Sequence, residues 1–90
     1  MSEQDVFDAL KYHIEVDSYG HRFYYNNAGE WHRENGPAII SERGDKYWYQ
    51  NNRLHRTDGP AVEYSYGGKD WFINGKKLTE AEFNQKVKLL

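Results

Sequence analysis

The chain has 90 residues, a formal net charge of −2 and no cysteine, which leaves room for one small domain and excludes disulfides and thiolate-held metal. Aromatic residues make up 17% of it (3 Trp, 8 Tyr, 4 Phe), and because each buries roughly 150–250 Å² they can build a core that the few aliphatic residues could not. Acids and bases are interleaved along the whole length, so no basic block advertises nucleic acid, and no apolar run of about 20 residues offers a membrane span.

The first ten residues, MSEQDVFDAL, lack the basic stretch and apolar run of a signal peptide. Together with the missing cysteines this predicts a soluble protein in a reducing, cytoplasmic compartment. Residues 1–12 read as a short helix, with Ser2 and Asp5 as its cap and Val6, Phe7 and Leu10 as its apolar side.

Residues 13–77 repeat themselves. IEVDSYGHRFYYNN (14–27), AIISERGDKYWYQNN (38–52) and AVEYSYGGKDWFING (61–75) each hold a β-branched or aromatic run, a glycine-containing turn and a second aromatic run. Such a pattern predicts three hairpins. Gly20–His21, Gly44–Asp45 and Gly67–Gly68 suit two-residue turns that need positive φ. That register sets Val16 against Tyr25, Ser41 against Trp48, Ile40 against Tyr49, Tyr64 against Trp71 and Val62 against Ile73. It also sorts the apolar residues into two faces, one with Ile14, Val16, Phe23, Tyr25, Ala38, Ile40, Tyr47 and Tyr49, the other with Trp48, Val62, Tyr64, Trp71 and Ile73. Two short helices are little material to cover both, which points to a partner or a second copy of the chain, as a homodimer.

Between hairpins the phrase HRENGPA (32–38) returns as HRTDGPA (55–61). Asn35–Gly36 and Asp58–Gly59 read as turn dipeptides that tolerate left-handed backbone. Pro37 and Pro60 have no N–H and suit the first position of a strand, with Ala38 and Ala61 packing closely behind. Trp31 and Leu54 fall at equivalent, buried positions, and Arg56 can bridge to Asp58 across the turn. The phrase is predicted to be an architectural corner. After the third unit the chain turns helical over 78–90: Thr79 and Glu82 form a capping box, Leu78 and Phe83 a staple, and Phe83, Val87 and Leu90 one apolar face. The expected fold is therefore mainly β (α+β), an antiparallel hairpin meander of about six strands with a C-terminal capping helix and a short N-terminal one.

Tandem units of the form W-x-x-N-G-x-x-H-R-x-D-G-P-A, together with the ending WFINGKKLTEAEF (71–83), resemble a repeat of bacteriophage and prophage proteins. More remotely, YYNNAGEWH and YWYQNNRLH are similar to MORN-type repeats, although those place a glycine after the histidine where this chain has Arg33 and Arg56. The resemblance implies a hairpin array and brings no catalytic residues.

Chemistry at the residues themselves points away from catalysis. His32 and His55 hold equivalent places in two repeats, which argues for a shared structural task, and no serine sits in a nucleophile elbow. His13, His21, His32 and His55 lack metal-ligand spacing; neither enzyme activity nor a cofactor is expected. Tyr, Trp and Arg most often anchor protein interfaces, so Tyr47, Trp48 and Tyr49 are the candidate apolar anchors, Arg33 and Arg56 the polar ones, and His32 and His55 secondary candidates. The expected function is non-enzymatic binding of a protein. With the phage resemblance, the implied partner is a bacterial host component that is inhibited or redirected in the host cytoplasm, anti-CRISPR-like inhibition being one version. The alternative is a single-stranded nucleic-acid binder that stacks bases on an aromatic and arginine-bearing sheet face.

Overall fold

The computed structural model describes residues 2–90; Met1, the first residue of the predicted helical segment, lies outside them. Helix α1 (Glu3–Lys11) leads into β1 (His13–Val16), β2 (Arg22–Tyr25), β3 (Ile39–Ile40), β4 (Lys46–Tyr47), β5 (Tyr49–Gln50), β6 (Arg53–Leu54), β7 (Val62–Glu63), β8 (Lys69–Ile73) and β9 (Lys76–Leu78), and helix α2 (Glu80–Val87) ends the order. Seven strands form one antiparallel sheet in the order β1-β2-β3-β4-β7-β8-β9, and β5 pairs with β6 beside it. The mainly antiparallel fold with a helix at each end is as expected. Among the described residues nine strands replace the expected six or so: the strand containing Trp48 bends there, separating β4 from β5, and the segments Arg53–Leu54 and Lys76–Leu78 add β6 and β9.

The three predicted hairpins form, but with longer loops. Each closes through a pair of backbone bonds around a three-residue loop: Asp17 N to His21 O and Gly20 N to Asp17 O, Ser41 N to Asp45 O and Gly44 N to Ser41 O, Tyr64 N to Gly68 O and Gly67 N to Tyr64 O. Gly20, Gly44 and Gly67 sit at φ +92°, +96° and +102°, the last residue of each loop rather than the first of a two-residue turn. The loop is favoured by the residue that opens it: Asp17 Oδ1 accepts from the N–H of Tyr19 and His21, and Ser41 Oγ from that of Asp45.

The register is therefore displaced by three from the sequence expectation in every hairpin. Val16 faces Arg22 rather than Tyr25, Ile40 faces Lys46 rather than Tyr49, and Val62 faces Asp70 rather than Ile73. An odd displacement exchanges the two sheet faces. Ile14 now shares its face with Tyr24, while Phe23 and Tyr25 lie on the other with Ile39 and Tyr47. The predicted sorting of apolar residues is corrected accordingly. Two-residue turns with left-handed backbone do occur, elsewhere: Asn51 (φ 49°) and Asn52 (φ 68°) join β5 to β6, and Asn74 (φ 49°) and Gly75 (φ 82°) join β8 to β9.

The core is centred on Tyr12, Tyr24 and Ala38, with Ile14, Trp31, Ile40 and Tyr49 packed against it. Both caps were legible: Ser2 and Asp5 exchange hydrogen bonds at the start of α1, as Thr79 and Glu82 do at the start of α2. Helix α2 packs on β8 and β9 and buries Phe83. It ends at Val87, so Leu90 is exposed rather than part of its apolar face. The larger correction concerns α1. Its predicted apolar side is the exposed one, with Leu10 at 85% exposure and Val6 and Phe7 near half, while the polar Asp8 faces the protein at 2%. Ion pairing to Arg33 holds the helix by that carboxylate, overriding its amphipathic pattern.

Candidate functional site

The recurring phrase is a corner built around its arginine. Arg33 Nη1 donates to the carbonyl of Pro37 at 3.2 Å, Arg56 Nη1 to that of Pro60 at 3.1 Å, and each guanidinium lies over an aromatic ring. Arg33 stands 4.0 Å above Tyr24 and Arg56 3.7 Å above Trp48. The glycines explain themselves through this packing. A Cβ on Gly36 would come within 2.8 Å of the Arg33 guanidinium carbon, and one on Gly59 equally close to that of Arg56. Neither Asn35, Asp58, Gly36 nor Gly59 has positive φ, so the expectation of left-handed backbone there is corrected: the glycine is needed for room.

The two corners differ in their acids. Arg33 pairs with buried Asp8 at 2.6 Å. Arg56 pairs with Asp58 through Nε at 2.8 Å, as predicted, and with Glu63 through Nη1 at 3.0 Å. Glu63 also accepts from the indole N–H of Trp48 at 3.2 Å, so Trp48 is held both by its ring and by its edge. Asn35 occupies the place of Asp58 but does not reach its arginine, and Arg33 Nε is left buried without a partner among the described residues.

The histidines tie each unit to the next. His32 Nδ1 accepts the N–H of Asn51 at 3.1 Å and His55 Nδ1 that of Asn74 at 2.9 Å, the two amides that open the two-residue turns. His21 does likewise for Glu42 at 3.0 Å. A backbone N–H can only donate, so these ring nitrogens must be unprotonated and the rings carry their proton on Nε2. Burial holds His55 below the ordinary histidine value of 6.5. Further links are Trp31 N to Asn52 Oδ1 at 2.7 Å, Gln50 Nε2 to the carbonyl of Arg33 at 2.9 Å, and Ser65 N to Asp45 Oδ1 at 2.7 Å. That last bond keeps the Asp45 carboxyl below its usual range.

Between the two corners lies an open cleft of about 640 Å³ lined by Glu34, Asn35, Trp48, Gln50, His55, Arg56, Thr57 and Asp58. Three of the seven candidate residues, Trp48, His55 and Arg56, meet there. The others do not. Tyr47 stands in the sheet between Ile39 and Val62. Tyr49 packs on Trp31 at 5.2 Å, its hydroxyl pushed to higher pKa by burial. Arg33 is only 12% exposed and ion-paired, and His32 packs beside Tyr12. Sequence reasoning missed Glu34, Asn35, Gln50, Thr57 and Asp58 as cleft residues, yet a signal existed. The residues that the two phrases share build the corners, whereas Glu34 and Asn35 against Thr57 and Asp58 are where HRENGPA and HRTDGPA differ, and all four line the cleft.

Among the described residues no group of acids and histidines is arranged to hold a metal ion, and no helix is long and apolar enough to cross a membrane. The chain matches no protein-family model, and neither a curated protein nor a solved structure is found to be similar to it.

Proposed function

We propose that the protein is a non-enzymatic binding module that takes hold of another protein through the cleft around Trp48. One observation carries the reading: positions shared by the two corners are spent on architecture, and positions that differ between them, Glu34, Asn35, Thr57 and Asp58, face the cleft. A shared frame, part of which (His55 and Arg56) borders the cleft, with every differing position turned into that cleft is the arrangement a binding scaffold needs. Trp48 is fixed in advance by Arg56 and Glu63, so a partner would meet an ordered aromatic anchor and lose little side-chain entropy on binding. The repeat resemblance to phage proteins makes a bacterial host component the partner to look for, with inhibition or redirection of that component as the consequence.

Nucleic-acid binding is supported less. Two of the cations it would recruit, Arg33 and Arg56, already face carboxylates, and phosphate contacts supply much of such affinity. The test compares the wild-type chain with Thr57→Arg, which fills the cleft from an exposed position and leaves the arginine, glycine and proline that build each corner in place. A bacterial protein captured by the wild type and lost with Thr57→Arg, at unchanged circular dichroism, supports the reading. Equal capture by both would overturn it. A salt-sensitive mobility shift of labelled oligonucleotides would favour the alternative.

A further inference from the structure

We infer that the β1 edge of the sheet is a self-association surface, where two copies of this chain join their sheets antiparallel, β1 to β1. The two edges of the seven-stranded sheet are unlike. At one end β9 carries Lys76 and Lys77, charged side chains of the sort that keep an edge from pairing. At the other, β1 reads His-Ile-Glu-Val, contains neither Lys nor Pro, and is exposed at His13, Glu15 and Val16.

The hydrogen-bond phase leaves this edge open. Asp17 N bonds to His21 O, so the residues of β1 that bond to β2 alternate back from that pair, through Glu15 and His13. Tyr24, opposite Ile14, spends both its backbone groups away from β1, donating to Ala38 O and accepting from His32 N. The N–H and C=O groups of Ile14 and Val16 thus point off the sheet.

Side-chain complementarity selects both the partner and the register. His13 and Glu15 lie on one face of β1, with His13 Nε2 2.9 Å from Glu15 Oε1, and both are largely exposed. An antiparallel pair centred on Ile14 sets His13 of each copy opposite Glu15 of the other, and lets Ile14 exchange both its backbone bonds with its counterpart. A pair centred one residue on would set the two Glu15 carboxylates against each other, which is unfavourable. A strand of this kind is its own complement, with a two-fold axis normal to the sheet. The strand is four residues long, so the dimer is a weak one.

Sedimentation equilibrium from about 10 µM to about 1 mM, a range suited to small interfaces, should show the wild type passing from monomer to dimer. Val16→Pro removes an N–H that the monomer does not use, so it should abolish the dimer while leaving the circular dichroism unchanged. His13→Glu should weaken association roughly fivefold, from two like-charge pairs, and the double exchange His13→Glu with Glu15→His should restore it. A wild type that stays monomeric throughout would overturn the inference. So would a dimer that survives Val16→Pro, including one lost instead on Leu10→Glu, which would place the contact on α1.

Discussion

At each corner one guanidinium meets a carbonyl, an aromatic ring, a glycine Cα and at least one carboxylate, so the energetics of the repeat concentrate on Arg33 and Arg56. The two should not be equally costly to lose. Arg33→Ala strands Asp8, which is 2% exposed, and removing one partner of a buried pair typically costs about 3 kcal/mol or more. Arg56→Ala leaves carboxylates that reach water, Asp58 at 78% and Glu63 at 36% side-chain exposure, and should cost less, in urea unfolding of both variants side by side. The unpartnered Nε of Arg33 predicts a gain. Asn35→Asp recreates the Arg56–Asp58 geometry and should stabilise by about 1 kcal/mol; a neutral or negative result would mean that the 34–35 backbone cannot reach the arginine. Gly59→Ala must push a tied guanidinium aside and should lose about 2 kcal/mol. Tyr64 offers a spectroscopic check: its hydroxyl donates to Asp70 at 2.8 Å and its pKa is pushed up to about 12, so it should be the last tyrosine to ionise on alkaline titration.

Successive hairpins are joined by side chains that reach from one unit to the next, and the His55 link carries a pH dependence. His55 in the folded chain resists a proton that it would accept when unfolded, because its folded pKa lies below 6.5. Its contribution is therefore complete above that value and is lost as pH falls through the folded pKa. A second loss follows in more acid solution, since the Asp5, Asp45 and Glu82 carboxyls are held low by backbone N–H groups or cap hydroxyls and stabilise only while ionised. Urea midpoints should fall in two stages on acidification, and His55→Gln should remove much of the first. A flat profile between pH 7 and 5 would contradict the link (these being rough limits around the histidine range). Hairpins were legible from their glycines, whereas the register was not. Positive φ at Gly44 is compatible with either a two-residue turn or the end of a three-residue loop, and only the serine and aspartate that open the loops decide between them. The corner was legible as a corner from its Gly-Pro, but its glycine answers to the arginine's volume, a tertiary fact that no local pattern contains.

The whole molecule is a sheet extended in one direction, 37 × 28 × 23 Å along its principal axes, with a capped helix before its first strand and another after its last. Its ends are unequal in how they are held. Phe83 anchors α2 by apolar burial, so Phe83→Ala should cost about 3 kcal/mol. Helix α1 is anchored by Asp8, so Leu10→Ser on its outer face should stay within about 0.5 kcal/mol of wild type; a large loss there would show that the helix packs the other way round. This inversion could not be read from periodicity, because the apolar spacing of Val6, Phe7 and Leu10 is that of a buried face and only the Arg33 pairing defeats it. The cleft was half legible for a similar reason. Aromatic residues drew attention to 47–49, and the turn of the strand at Trp48 then sent its neighbours Tyr47 and Tyr49 into the sheet and the core. The claim on which corner, cleft and sheet all depend is that His32 and His55 accept the amides of Asn51 and Asn74 from the following turn. Long-range ¹⁵N correlation of the imidazoles at neutral pH reads this directly. Both rings should be protonated on Nε2 alone, with Nδ1 coupled through the hydrogen bond to those two amides; protonation on Nδ1, or coupling to neither, would contradict it.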